Sequence, residues 1–381
     1  MRNACRERML RMNTPVKVGI THGDINGIGY EVIFKTVSEE GITELFTPII
    51  FGLPEIADLT KVKFHLPNIS LNVIDNASQA KKGVVNLVEL KEKPELRPGE
   101  IQKDAGESAV EALEKAVQAL KNGEIDVLVT APISKEAVHS DSFKFPGHTE
   151  FLSERIGEGN EALMILCNDY LRVALQTVHV PITKVSESIS TEKIVESVEK
   201  FALTLKKDFG IVKPTIAVLS LNPHAGDGGV IGSEEEEVIK PAIEKLMQDG
   251  ILAFGPFPAD GFFGHGSYKK YDGVLAMYHD QGLAPFKTLA DAGGVNFSAM
   301  LPFVRTSPDH GTAFDIAWKD EADPKSMRDA IYMAIDIFRR IKTFEDFSSN
   351  PLKKYVHERP EKSERYDKNQ VKNDLNKEMD D

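Results

Sequence analysis

The 381-residue chain has only two cysteines, Cys5 and Cys167. Two thiols make at most one bridge, so a disulfide framework is excluded and a reducing cytoplasm is the expected compartment. Positive charge is also short. The formal net charge is −13, and there is no basic block. Nucleic-acid binding rests on neutralising phosphates with Lys and Arg, so it is not expected; a small phosphorylated ligand needs only a few local cations. No apolar run approaches the roughly 18 residues of a membrane span, so no membrane partner is expected. Residues 1–14 are too broken by charge for a signal peptide's apolar core and read as a disordered leader. Residues 351–381 hold eight Lys or Arg and eight Asp or Glu with few large apolar residues. They read as part of a charged tail, 346–381, disordered or loosely helical. No internal repeat is present.

Between these ends, short apolar runs alternate with amphipathic stretches. Val16–Thr21, Thr47–Gly52, Asn68–Ile74, Val127–Thr130, Ala162–Cys167, Val173–Thr177, Thr215–Leu221 and Gly273–Met277 read as strands covered on both faces. Ala105–Asn122, Thr191–Phe209, Ser233–Asp249 and Ser326–Lys342 carry helical spacing. The alternation predicts an α/β fold, and the length predicts two domains or two lobes of one body.

Several loops come directly after strands, where ligands bind in open α/β sheets. Thr21–Glu31 (THGDINGIGYE) is glycine-rich but lacks the G-x-G-x-x-G spacing of a dinucleotide fingerprint. It reads equally as a ligand loop or as a plain strand-to-helix turn. APISK comes after VLVT, and FPGHTE places His148 and Thr149 behind Pro-Gly. Three histidines share one context, a strand's C-terminal end: His179 in QTVHVP, His224 in LNPHAGDGG and His279 in MYHDQG. Imidazole is a common ligand of Zn²⁺ or Co²⁺, and three with an open position describe a catalytic metal site. Three separate loop histidines is the competing reading, because the sequence separations are large. From Lys287 to Asp315, Lys287, Asn296 and Arg305 supply two cations and an amide. Arg305 lies between LPFV and Thr-Ser-Pro, an odd place for idle charge, and its planar fork suits phosphate or carboxylate. His265 and His310 read as structural.

Taken in order, GDxxGIGxE, TAPISK, PGHTEF, LNPHAGDGG, GPFPAD, YDGVLAMYHDQG and LPFVRTSPDHGTAFD closely resemble the 4-hydroxythreonine-4-phosphate dehydrogenase family of vitamin B6 biosynthesis over residues 15–345. The resemblance implies an isocitrate/isopropylmalate-dehydrogenase-like fold, two α/β lobes with an active-site cleft. The first lobe would take residues 15–140 plus 290–345; the second, 141–289, would carry the contacts of a homodimer. It implies a divalent metal (Zn²⁺, Co²⁺ or Mg²⁺) on His179, His224 and His279, one of them from the other subunit. It places His148, Thr149, Lys287, Asn296 and Arg305 on the substrate, with NAD⁺ or NADP⁺ as hydride acceptor. Lys287, Asp280 and Asp260 are the candidate catalytic residues. Asp280 could serve instead to orient a ligand imidazole. No residue is recognisable as binding the nicotinamide cofactor.

The first motif departs from the family pattern at Ile25, Asn26 and Tyr30, where the family carries Pro, Ala and Pro. This bears on the exact substrate. The alternative is a 4-phosphoerythronate or 4-phosphothreonate dehydrogenase of sugar-acid catabolism. Further readings are a metal-dependent phosphatase or hydrolase and a non-catalytic binding protein.

Overall fold

The computed structural model describes residues 15–349 except 67, 140–142, 146, 158, 160, 291 and 292. The predicted leader, Cys5 and nearly all of the charged tail therefore lie outside the described residues. The fold is carried by residues up to Phe344; the unit that begins at Glu345 contributes the end of the last helix.

One twelve-stranded sheet runs through the molecule. Its strands are β1 (Val16–Thr21), β2 (Phe46–Gly52), β3 (Leu71–Ile74), β4 (Val85–Glu89), β5 (Val127–Thr130) and β6 (Leu163–Cys167), then β7 (Arg172–Leu175), β8 (Thr215–Leu219), β9 (Leu252–Phe257), β10 (Gly273–Ala276), β11 (Val295–Ala299) and β12 (Val304–Pro308). The order is β3-β4-β2-β1-β5-β12-β11-β6-β7-β10-β8-β9. From β3 to β12 every pairing is parallel, and so is every pairing from β7 to β9. The three junctions between these blocks, β12–β11, β11–β6 and β6–β7, are antiparallel. The two parallel blocks therefore run in opposite directions. The chain leaves the first block after β5 and returns to it with β12, which pairs with β5.

The helices of nine residues or more are α1 (Gly29–Val37), α2 (Pro54–Lys63), α3 (Lys103–Lys121), α4 (His148–Ile156), α5 (Thr191–Lys207), α6 (Lys240–Gln248), α7 (His279–Leu289) and α8 (Lys325–Ser348). Strand alternation decides what each covers. On one face of the central strands, Phe297 meets Phe209 just beyond α5, with ring centroids 5.9 Å apart. On that face too, the Thr306 hydroxyl donates to the Ala330 carbonyl of α8 at 2.8 Å. On the other face, Leu283 and Phe286 of α7 join Val173, Leu175, Val274 and Ala276 in a second core.

The mixed α/β fold expected from the sequence is what is observed. Four strands were not expected from the sequence: β4, β9, β11 and β12. The helix expected from Ser233 begins instead as a π-helical turn, Glu235–Ile239, before α6.

Gly106 shows how tightly the layers are set. It lies inside α3, where Ala is ordinarily favoured over Gly by about 1 kcal/mol. A Cβ there would stand 2.1 Å from the Ala137 carbonyl oxygen. Gly106→Ala is expected to lower stability by about 1–3 kcal/mol, the cost of overpacking, read as a lower urea midpoint; a higher midpoint would show that the contact is soft.

Candidate functional site

The site is built on the three strands where the sheet reverses. Asn296 of β11 pairs with Ser307 of β12, and Arg305 of β12 with Leu128 of β5. Alternation puts Asn296, Ser298, Arg305, Ser307 and Thr130 on one face. Arg305 is only 2% exposed. Its Nε and one terminal nitrogen donate to the Thr130 hydroxyl at 3.2 and 2.6 Å, and the other terminal nitrogen donates to the Ser298 hydroxyl at 3.0 Å. Among the described residues no carboxylate lies within ion-pair distance. Burial pushes the guanidinium down to about 10, with only the more distant charge of Glu150 opposing. Buried charges are ordinarily paired. This one is oriented by two neutral hydroxyls.

The start of α4 packs beside it. The Thr149 hydroxyl lies 3.2 Å from that of Ser298. His148 Nε2 is buried without a hydrogen-bond partner among the described residues. Burial first, and then the charge of Arg305, holds the ring well below the usual imidazole range, so it is neutral. Asn296 Oδ1 is likewise unpartnered among the described residues. Lys287, exposed on α7, donates to the Asp309 carbonyl at 3.3 Å. Thr149 and Arg305 thus meet through Ser298, and His148 feels Arg305 electrostatically. Asn296 shares their face, whereas Lys287 contacts the chain just after β12 and none of these side chains among the described residues.

The strand-end histidines occupy the second block. The rings of His179 and His279 lie 6.4 Å apart, centroid to centroid. His279 Nδ1 is 2.6 Å from Asp280 Oδ1, which leaves Nε2 as the free ring nitrogen. His179 Nδ1 is 3.8 Å from Glu150 Oε1. Desolvation, then Lys135, lowers the His179 pKa, so its ring is a neutral donor. Hydrogen bonds tie these strand ends together. The Thr177 hydroxyl donates to the Met277 carbonyl at 2.8 Å. Gln281 accepts from the Met277 amide at 2.7 Å and donates to the Ser220 carbonyl at 2.6 Å, joining the ends of β10 and β8. Imidazole nitrogens of this kind suit a borderline divalent ion. Among the described residues of this single chain, no three His, Cys, Asp or Glu side chains converge as a metal-binding group. His224 is exposed on the loop after β8.

Asp280 is exposed and engages His279, the geometry of a residue that orients an imidazole. Asp260 is exposed on the short helix Ala259–Gly264. Glu150, Ser298, Thr130 and Gln281 were not singled out from the sequence. A signal for Ser298 was present, since Val-Asn-Phe-Ser-Ala alternates with period two. A separate cavity of about 360 Å³, lined by Arg172, Phe209, Tyr332 and Arg340 among others, contains none of the candidate residues.

The glycine-rich loop after β1 is packed rather than open. A Cβ on Gly23, which has φ 72°, would stand 2.2 Å from the Pro132 carbonyl of the APISK segment. Tyr30 is fully buried, and its hydroxyl accepts the Leu53 amide at 2.7 Å. Its extra bulk therefore belongs to the core. Beside it, burial pushes His22 down to about 4. Burial also raises Asp24 from an ordinary 3.8 to about 6, although its Oδ1 accepts the Asn26 amide.

These features define an α/β protein with a buried guanidinium, oriented by hydroxyls, at the point where the sheet reverses, and two neighbouring imidazoles at the strand ends of the second block. The chain belongs to the PdxA family: the family model described as pyridoxal phosphate biosynthetic protein PdxA matches residues 44–334. It is 48% identical over 353 residues to the 4-hydroxythreonine-4-phosphate dehydrogenase of Bacteroides thetaiotaomicron, covering 92% of this chain and 96% of that protein. It is 38% identical to the D-threonate 4-phosphate dehydrogenase of Salmonella typhimurium, covering 84% and 98%. The crystal structure of 4-hydroxythreonine-4-phosphate dehydrogenase from Klebsiella pneumoniae superposes with a TM-score of 0.74 at 34% identity, covering 86% and 99%.

The raised Asp24 pKa has a signed consequence. A folded value above the unfolded one means that the fold penalises the ionised form. The penalty is absent well below pH 4, where the carboxyl is protonated in both states, grows as the unfolded carboxyl ionises, and is complete only above the folded value of about 6. Asp24→Asn is therefore expected to gain up to about 3 kcal/mol of unfolding free energy at pH 8 and well under about 1 kcal/mol at pH 4, measured by urea unfolding. An equal effect at both pH values would contradict the assignment.

Proposed function

We propose that this chain is a 4-hydroxythreonine-4-phosphate dehydrogenase. It oxidises 4-phosphohydroxy-L-threonine with NAD⁺ or NADP⁺ to a β-keto acid, which loses CO₂ to give 3-amino-2-oxopropyl phosphate for pyridoxal phosphate synthesis. The observation that carries the reading is Arg305, a buried guanidinium with no carboxylate in ion-pair contact among the described residues. The names of the relatives support it.

In this reading Arg305 and Lys287 hold the anionic ends of the substrate, and His148, Thr149 and Asn296 complete its hydrogen bonding. That fixes the carbinol carbon against the cofactor, which takes the hydride. Neutral His148 can donate or accept without adding charge beside Arg305. His179, His224 and His279 would hold the divalent ion, Zn²⁺, Co²⁺ or Mg²⁺, with one of the three supplied by the second subunit of a homodimer. Such an ion supplies Lewis acidity toward the hydroxyl being oxidised. Asp280 orients His279, which leaves Asp260 as the other sequence candidate for the base. The two-lobed division, with dimer contacts in residues 141–289, belongs to the same proposal. So does a cytoplasmic location, which the buried free thiol of Cys167 suits. No helix among the described residues is long and apolar enough to cross a membrane. The second reading, oxidation of D-threonate 4-phosphate, is favoured by the Salmonella typhimurium relative. That substrate carries hydroxyl where the first carries amine.

The test is NAD(P)H formation with 4-phosphohydroxy-L-threonine, 4-phospho-D-erythronate and D-threonate 4-phosphate, with and without a chelator. The expected result is highest kcat/KM for the amino substrate, abolished by chelator and by His279→Ala. Preference for a sugar-acid phosphate would move the reading to the second dehydrogenase. Phosphate release without nicotinamide reduction would replace both with a hydrolase.

A further inference from the structure

The loop that carries His224 is held by a buried carboxylate. β8 ends at Leu219, and the chain turns through Leu221–Gly232 before α6. Glu235, 0% exposed, reaches back across this turn. Its Oε1 accepts the backbone amides of Leu221 and Asn222 at 2.8 and 2.7 Å. Its Oε2 accepts the Asn222 side-chain amide at 2.9 Å, which also donates to Glu234 at 2.8 Å. Among the described residues no Lys, Arg or His pairs with Glu235 as an ion. The N–H groups of Leu221 and Asn222 offset the desolvation of this carboxylate, so the carboxylate and the turn hold each other in place.

The backbone just after Asn222 shows which geometry that is. His224, Ala225, Gly226, Asp227 and Gly228 have φ of 52, 51, 77, 46 and 65°, a run of left-handed backbone. Three of the five are not glycine, and such residues adopt this region only where their surroundings over-determine it. The surroundings are Glu235 and the loop's own return. A Cβ on Gly226 would stand 2.6 Å from Glu235 Oε2, and the Ile231 amide donates to the Gly226 carbonyl at 3.0 Å. Glu235 opens the π-helical turn Glu235–Ile239, whose extra residue per turn changes which side chains face inward. His224 itself is exposed, and no hydrogen bond to its ring is seen among the described residues. The backbone alone therefore aims its imidazole.

We propose that Glu235 is the positioning residue for His224: its carboxylate clamps the 221–226 turn and fixes the left-handed run that presents the imidazole. The proposal rests on the reading of His224 as a metal ligand. Glu235 touches neither metal nor substrate in this role. It acts as the outer partners of metal ligands do, through the orientation of the ligand.

The experiment is the Zn²⁺ affinity of the metal-free full-length protein, by competition with a chromophoric chelator. The proteins are wild type, Glu235→Gln, Gly226→Ala and His224→Ala, each with substrate KM at saturating Zn²⁺. Glu235→Gln sets an amide against the Asn222 amide, donor against donor. Gly226→Ala drives a methyl into the same carboxylate from the loop side, and decides the matter if Glu235→Gln does not fold. The expected result is loss of Zn²⁺ binding in His224→Ala and roughly 10- to 100-fold weaker binding in the other two, with substrate KM unchanged once Zn²⁺ is saturating. Wild-type affinity in a folded Glu235→Gln or Gly226→Ala, with affinity lost in His224→Ala, would overturn the role of Glu235 and leave the ligand reading standing. Wild-type affinity in His224→Ala would overturn both.

Discussion

The guanidinium of Arg305 is the constraint around which the central strands are organised. It is desolvated, and two hydroxyls orient it without neutralising it. Sustaining that arrangement requires Thr130 at the end of β5, Ser298 on β11 and Arg305 on β12 to share one face. They share it through register: β11 and β12 pair so that Ser298 lies opposite Arg305, and Arg305 pairs with Leu128, two residues before Thr130. The opposite face of the same strands is closed by Phe297 and Thr306 against Phe209 and α8, so the charge cannot relax toward that side. Such a charge carries an unfavourable desolvation that only the attraction of an opposite charge would offset.

The strand-end histidines are ordered differently. Their rings are exposed or half-exposed, and the strand ends that carry them are ordered by hydrogen bonds two or more residues away along the chain. Thr177 ties β7 to β10, and Gln281 ties β10 to β8. Glu150 connects this group to the first, close to His179 and acting electrostatically on Arg305. Because α4 carries His148, Thr149 and Glu150 together, a small rotation of that helix would move contacts in both groups at once.

Much of the sheet was legible because strands covered on both faces are simple apolar runs: VKVGIT, VLVT and GVLA declare themselves. β11 and β12 did not, because one side of each faces the site and is polar. Asn296 and Ser298 alternate with Val295, Phe297 and Ala299, and Arg305 and Ser307 do the same in β12. A stretch to which the sequence assigned no element is thus two short strands whose polar residues share the face that carries Arg305. β4 was hidden by Asn86, which is buried and bonded to three backbone carbonyls. Of the site, the motif residues were visible, but Thr130, Ser298, Gln281 and Glu150 were not. The period-two alternation around Ser298 was the one available signal; Thr130, Gln281 and Glu150 carry no such spacing, and only the register and packing reveal what they touch. Tyr30 taught the reverse: a departure from the family motif in a glycine-rich loop reads as a change in the site, yet its hydroxyl serves the Leu53 amide in the core.

The most direct measurement compares the unfolding free energy of wild type and Arg305→Met with and without inorganic phosphate. If Arg305 is an uncompensated buried cation that receives an anion, the ligand-free Met variant is at least as stable as wild type. Phosphate then stabilises only wild type, by about 2.7 kcal/mol at a hundred times its Kd. A ligand-free variant several kcal/mol less stable than wild type, with an undiminished response to phosphate, would show that Arg305 is a structural element and that the anion binds elsewhere.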